Sequence, residues 1–231
     1  MPPLGQGEKD MKKRLLFDIN FKNILFMVLL AALNVGLFFL SKRLELPFWL
    51  DTIGTMTVAM ELGPAAGVLT AVASSGTLWF INGNSMLYCL AAISVAILIG
   101  LTVTKEKRQD KLYVVSSALL SGLVSTVICL PINSALYDGS TGNVWGDALK
   151  DLLDRNVSSA RFNTFTAEAF VDLPDRVVSL FIALFILRIA APVLGDRGGK
   201  NGKASKAGAG MLAVMFALCT VAAPSEIRAR T

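Results

Sequence analysis

Six stretches of this chain are apolar enough to be read as membrane crossings, at residues 23–40, 49–62, 65–81, 86–103, 112–136 and 168–189. A bilayer's hydrocarbon core takes about 20 apolar helical residues to cross. The second stretch is short by that measure and carries Asp51, Thr52, Thr55 and Thr57. Gly63-Pro64 separates it from the third, and Asn82-Gly83-Asn84 forms a turn after the third. The fifth stretch is long and contains Pro131, which predicts a kink or an early end. Between the fifth and sixth lies the longest polar connection, 137–166, in which 144–153 has the apolar spacing of a surface helix.

The pattern therefore predicts an all-α integral membrane protein, a compact bundle of six transmembrane helices over residues 23–191. Residues 1–22 form a basic lead-in, expected to be ordered in part as an interfacial helix from Leu15. Residues 192–210, rich in Gly, Lys and Ala, read as a flexible basic linker. Residues 211–231 are a tail of unknown role, whose apolar part at 211–223 is under the usual spanning length.

The sixth stretch breaks the pattern. Glu168, Asp172, Asp175, Arg176 and Ser179 recur at helical spacings that place them along one stripe. Each ionisable group at membrane depth costs about 2.5–3.5 kcal/mol on insertion scales, so such groups face a bundle interior or a watery cavity. A structural reading stands beside the functional one. Asp172 can be an N-cap, with Pro174 in the first turn and Asp175 three residues on. Asp172 and Arg176, four apart with the acid first, also suit an intrahelical pair. Glu168 is explained by neither, which makes it the stronger candidate for ligand or gate work.

Composition agrees with a membrane protein: 54% of the 231 residues are hydrophobic and the charges are gathered in a few places. The net charge of +5 raises nucleic acid as a partner, but the basic residues lie in short segments beside apolar runs, where topology explains them better. Lys12, Lys13 and Arg14, the loop with Lys105, Lys107, Arg108 and Lys111, and the tail with Arg188, Arg197, Lys200, Lys203 and Lys206 all fall on one side if there are six crossings. By the positive-inside rule that side, with both termini, is cytoplasmic. The first stretch superficially resembles a signal peptide, but Lys42 and Arg43 follow it rather than a cleavage site, so it is read as a retained span. The expected location is the cell membrane of a prokaryote, as a multi-pass protein.

The chain has no histidine, which removes the commonest general base, metal ligand and pH switch. Cys89, Cys129 and Cys219 lie apart in apolar stretches, without the spacing of a disulfide framework or a metal site. Nothing points to catalysis, a nucleotide site, a metal or a cofactor. If cargo moves uphill, another polypeptide supplies the energy.

Polar and aromatic groups collect at the predicted outer ends: Trp49, Asp51, Trp79, Asn82, Asn84, Asn133, Tyr137, Glu168 and Asp172. Aromatic walls with a few placed hydrogen-bonding groups suit a small, flat, polar molecule. Trp49 and Trp79 equally suit an interfacial belt, and Asp51 equally suits a cap on the second helix. Small residues also recur every fourth position: Ala32 and Gly36; Gly67, Ala71 and Ser75; Ala92, Ala96 and Gly100; Ser117, Ser121 and Ser125. In lipid such stripes let helix backbones approach. For the third to fifth spans this reads as bundle packing; on the first span it can instead face a partner.

Three motifs carry a resemblance. Trp49-Leu-Asp-Thr-Ile-Gly-Thr, Leu62-Gly-Pro-Ala-Ala-Gly and above all Val171-Asp-Leu-Pro-Asp-Arg-Val-Val-Ser resemble the substrate-binding S components of energy-coupling factor (ECF) transporters, over about 23–191. The resemblance implies a non-enzymatic bundle that captures a vitamin or similar nutrient from outside. It also implies a transmembrane coupling subunit and two ATPase subunits, thought to topple the bundle to release cargo inside. The family's Ala-x-x-x-Ala pattern on the first helix is loosened here to Ala32 and Gly36, or Ala31 and Val35. On this reading Glu168, Asp172 and Asp51 supply acceptors and Arg176 a cation, with Asp175 in the same cluster. Asn133 and the outer aromatics supply shape. The alternative is a transmembrane sensor working with a signalling partner, although the chain ends soon after the sixth stretch without a signalling domain.

Overall fold

The computed structural model describes residues 20–83 and 86–194, and among these every regular element is helical. The interfacial helix expected from Leu15, Asn84, Cys219 and the apolar segment at 211–223 lie outside the described residues.

The first helix, α1, spans Phe21–Arg43. Asn20 opens it by accepting the Lys22 N–H, and Lys42 and Arg43 complement the negative end of its dipole. The second, α2, spans only Ile53–Leu62. Ten residues of helix are about 15 Å long, half of a 30 Å hydrocarbon core. Every residue from Ile53 to Met60 is buried, so α2 is a plug that the other helices surround rather than a wall facing lipid. Gly63, at φ +102°, ends it, and Pro64 opens α3, Pro64–Asn82, at the position where a missing N–H costs nothing.

After a 3-10 turn at Met86–Tyr88 comes α4, Cys89–Thr102, and then α5, Lys111–Leu136. Asp110 caps α5 by accepting the N–H groups of Leu112 and Tyr113. The helix carries on past Pro131 to Leu136, so the early end that the proline suggested does not occur. The amphipathic stretch near 144–153 is the surface helix α6, Val144–Asp154, as its spacing predicted. The last helix, α7, is 35 residues, Ala160–Leu194, about 52 Å by helical rise. It begins well before residue 168 and runs past 192, where the linker was expected.

Among the described residues, three helices are long and apolar enough to cross a membrane: Phe21–Arg43, Pro64–Asn82 and Lys111–Leu136. The helical regions Ile53–Leu62 and Met86–Thr102 are apolar but shorter. Outward-facing residues are apolar in numbers a water-soluble surface rarely shows, among them Phe21, Val28, Leu69, Leu123, Val127 and Phe185.

The small-residue stripes sit where helices approach. A Cβ on Gly67 would stand 2.6 Å from the Cβ of Ala59 on α2, and one on Gly100 would stand 2.9 Å from the Cα of Pro64. Ala71, Ala96, Ser121 and Ser125 are fully buried. On α1, Gly36 is buried and Ala32 half-buried, so Gly36 faces into this chain rather than outward. Asn34 joins α1 to two neighbours. Its amide donates to Thr55 at 2.9 Å and to Ser74 at 3.5 Å, and its oxygen accepts the Gly54 N–H at 2.6 Å.

Candidate ligand cavity

Because α7 starts at Ala160, Asp172 and Pro174 lie inside the helix, and the reading of Asp172 as an N-cap with Pro174 in the first turn falls. The start of α7 is fixed elsewhere: Asn163 donates to Asp154 at 2.7 Å and to the Val157 carbonyl at 3.0 Å, tying it to the end of α6. With cap duty removed, the carboxylates are free for contacts across the bundle.

Arg176 is the hub of those contacts. Its Nη1 donates to Thr52 at 2.6 Å and to Asp175 at 3.0 Å; its Nη2 donates to Ser125 at 3.1 Å and to Asp172 at 3.4 Å. Asp51 lies 3.7 Å from Nη1, and its Oδ1 has no hydrogen-bond partner. The predicted Asp172–Arg176 pair is therefore present, as one arm of a cluster joining α2, α5 and α7. The N-cap of α2 is Thr52, not Asp51, and its side chain makes no capping bond; the Gly54 N–H in the first turn is taken instead by Asn34. Buried ion clusters persist when their remaining hydrogen bonds are satisfied, and breaking one by removing a partner costs about 3–5 kcal/mol.

Asp175 turns away from the other acids to hold backbone. Its Oδ1 accepts the Trp49 N–H at 3.1 Å and the Leu50 N–H at 2.9 Å. This fixes the loop before α2, which in turn aims Trp49, Asp51 and Thr52. Glu168, one turn before Asp172, accepts the Asn133 amide at 2.8 Å, and the Tyr88 hydroxyl donates to the other end of that amide at 2.5 Å. The Tyr88 and Tyr137 rings lie 6.0 Å apart at 21°, and Trp49 stacks on Phe38 at 5.8 Å and 9°.

These groups surround a cavity of about 210 Å³ at the end of the bundle where α1, α3 and α5 finish and α4 begins. Of the residues singled out from the sequence, Trp49, Asp51, Tyr137, Glu168, Asp172 and Arg176 line it. Asn133 and Asp175 stand behind the wall and orient those that do. Trp79, 55% exposed, and half-buried Asn82 do not line it. Trp79's outward position fits the belt reading instead.

Sequence reasoning passed over Phe38, Tyr88 and Cys129, which also line the cavity, and the loop at 140–142. Tyr88 carried a usable signal, an aromatic beside the turn at Asn82–Asn84. The loop carried none. It is held by Asp147, which accepts the Ser140 hydroxyl at 2.8 Å and the Thr141 N–H at 2.6 Å. Asn143 and Trp145 then donate to the carbonyls of Leu46 and Glu45 at 3.0 and 2.7 Å, joining the two loops beside the cavity.

Cys129 Sγ and one oxygen each of Glu168 and Asp172 lie within 4.8 Å of one another. Those carboxylates are already engaged by Asn133 and Arg176, and we assign no ion to them. The opposite end of the bundle has a different character. There Glu61 pairs with Lys105 at 3.0 Å and Arg108 at 3.2 Å, and Arg108 also donates to the Met60 carbonyl, closing the basic loop onto the end of α2. No family model matches this chain, and neither does any curated protein or solved structure.

Proposed function

We propose that this protein is the membrane-embedded capture subunit of an ATP-driven importer of the ECF type, taking a vitamin-like nutrient into the cavity beside Glu168. The observation that carries the reading is the cavity itself: buried polar groups and aromatic rings enclose a small-molecule-sized space in an otherwise apolar helical body. The hydrogen-bonding groups around it are held by neighbours, so a guest meets a pre-arranged site and little ordering entropy is lost on binding.

In this proposal the chain crosses the cell membrane six times. The short α2 counts as one crossing by virtue of its burial, and both termini are cytoplasmic. The basic loop at 104–111 then lies inside and the cavity opens outside. A transmembrane coupling subunit and two ATPase subunits supply the energy. The basic loop with Lys105, Lys107, Arg108 and Lys111, at the end opposite the cavity, supports that orientation by the positive-inside rule.

Gentle purification from native membranes, followed by mass spectrometry of the bound small molecule and companion polypeptides, tests the proposal. A trace nutrient together with ATPase subunits is the expected result. Failure to recover either, with no thermal stabilisation by any vitamin, overturns it.

A further inference from the structure

The charge balance of the cavity walls narrows the guest. Asp51, Glu168 and Asp172 line the space together with Arg176 and Lys42. Lys42 is exposed, so water screens its ammonium. Arg176, only 4% exposed, is the deep cation, and three carboxylates already share it: Asp175 at 3.0 Å, Asp172 at 3.4 Å and Asp51 at 3.7 Å. Glu168, 3% exposed, comes in addition to these. It forms no ion pair among the described residues and takes a hydrogen bond from the neutral amide of Asn133. A carboxylate removed from water without a cation is costly, and a guest that brings positive charge relieves that cost.

The walls favour the same kind of guest. Phe38, Trp49, Tyr88 and Tyr137 all line the space, and the electron-rich face of an aromatic ring attracts a cation. A volume near 210 Å³ is below the range of about 300–1,000 Å³ usual for drug-sized ligands, which restricts the guest to a small ring system.

We propose that the cavity selects a small, flat organic cation, such as an amidinium or a positively charged nitrogen heterocycle, with its charge against Glu168 and its ring among the four aromatic side chains. The inference rests on the capture reading above and specifies its substrate class.

Three probes of nearly equal shape separate the possibilities: benzamidinium, benzamide and benzoate. Each is titrated against the full chain in nanodiscs, with tryptophan fluorescence and the thermal midpoint as readouts. Benzamidinium is expected to bind and raise the midpoint, benzamide to bind about tenfold or more weakly, and benzoate not to bind. The variant Glu168→Gln keeps an acceptor for Asn133 and removes the charge. It is expected to weaken benzamidinium by about 30-fold while leaving benzamide unchanged. Benzamide or benzoate binding as tightly as benzamidinium, no benzamidinium binding, or an unaltered Glu168→Gln response would each overturn the inference. The wild-type series decides the matter even if the variant fails to fold. An anionic nutrient recovered from native membranes would sink this charge assignment and leave the capture reading standing. Benzamidinium binding without companion ATPases would do the reverse.

Discussion

The carboxylate of Asp175, midway along α7, accepts the backbone N–H of Leu50 at 2.9 Å, across 125 positions of sequence. Leu50 has φ +56°, a left-handed conformation that costs a branched side chain about 1–2 kcal/mol. The loop keeps that conformation because Asp175 holds two successive N–H groups in it. Replacing Asp175 by Ala strands both N–H groups and takes a partner from Arg176. We expect a loss of about 3–5 kcal/mol in unfolding experiments, and a smaller loss for Asp175→Asn, which keeps an acceptor. An Ala variant as stable as the parent would show that the loop is held by something else.

Gly54 tests the packing of the plug helix. A Cβ there would meet the Leu30 carbonyl oxygen at 2.1 Å, and backbone cannot swing aside as a side-chain tip can. Gly54→Ala is expected to destabilise by about 3 kcal/mol or more, at the top of the range for overpacking. A neutral result would mean that α1 and α2 separate easily.

Asn34 is fully buried and bonds to both α2 and α3. Asn34→Ala leaves the Gly54 N–H without its acceptor, which costs about 1–3 kcal/mol. The thermal midpoint should fall while benzamidinium affinity holds, because Asn34 does not line the cavity. A change in affinity without a change in stability would contradict that division.

The proposed orientation is open to labelling. Cys89 and Cys129 are buried, so cysteines introduced at exposed loop positions can be compared with the parent background. Asp138→Cys is expected to react with a membrane-impermeant maleimide in intact cells, and Lys107→Cys only after permeabilisation. The opposite pattern would invert the topology and place the cavity on the cytoplasmic side.

Much of the helical layout was readable from hydrophobicity alone, because a helix in an apolar setting satisfies its own backbone and needs only a run of apolar side chains. The ends of α3 at Asn82 and α5 at Leu136, and the surface helix at 144–154, fall within a residue or so of where the pattern put them. The start of α7 was not readable. Residues 160–167 are mixed in character, and the start is set by Asn163 reaching Asp154, a contact between elements rather than a local preference. The same limit hid the role of α2, whose ten residues look like a failed crossing until the other helices are seen around it.

The stripe from Glu168 to Ser179 is a property of sequence: helical periodicity puts those groups on one face, and their cost in an apolar setting marks them as exceptional. Periodicity says nothing about what stands opposite. That Asp172 faces Arg176 and Ser125, that Asp175 holds a loop, and that Glu168 meets Asn133 beside an open space were decided by packing. Packing also left Trp79 outside the cavity and brought Tyr88 into its wall. The physical reason is range: propensity and periodicity act over a few residues, whereas a cavity is made by segments more than a hundred residues apart.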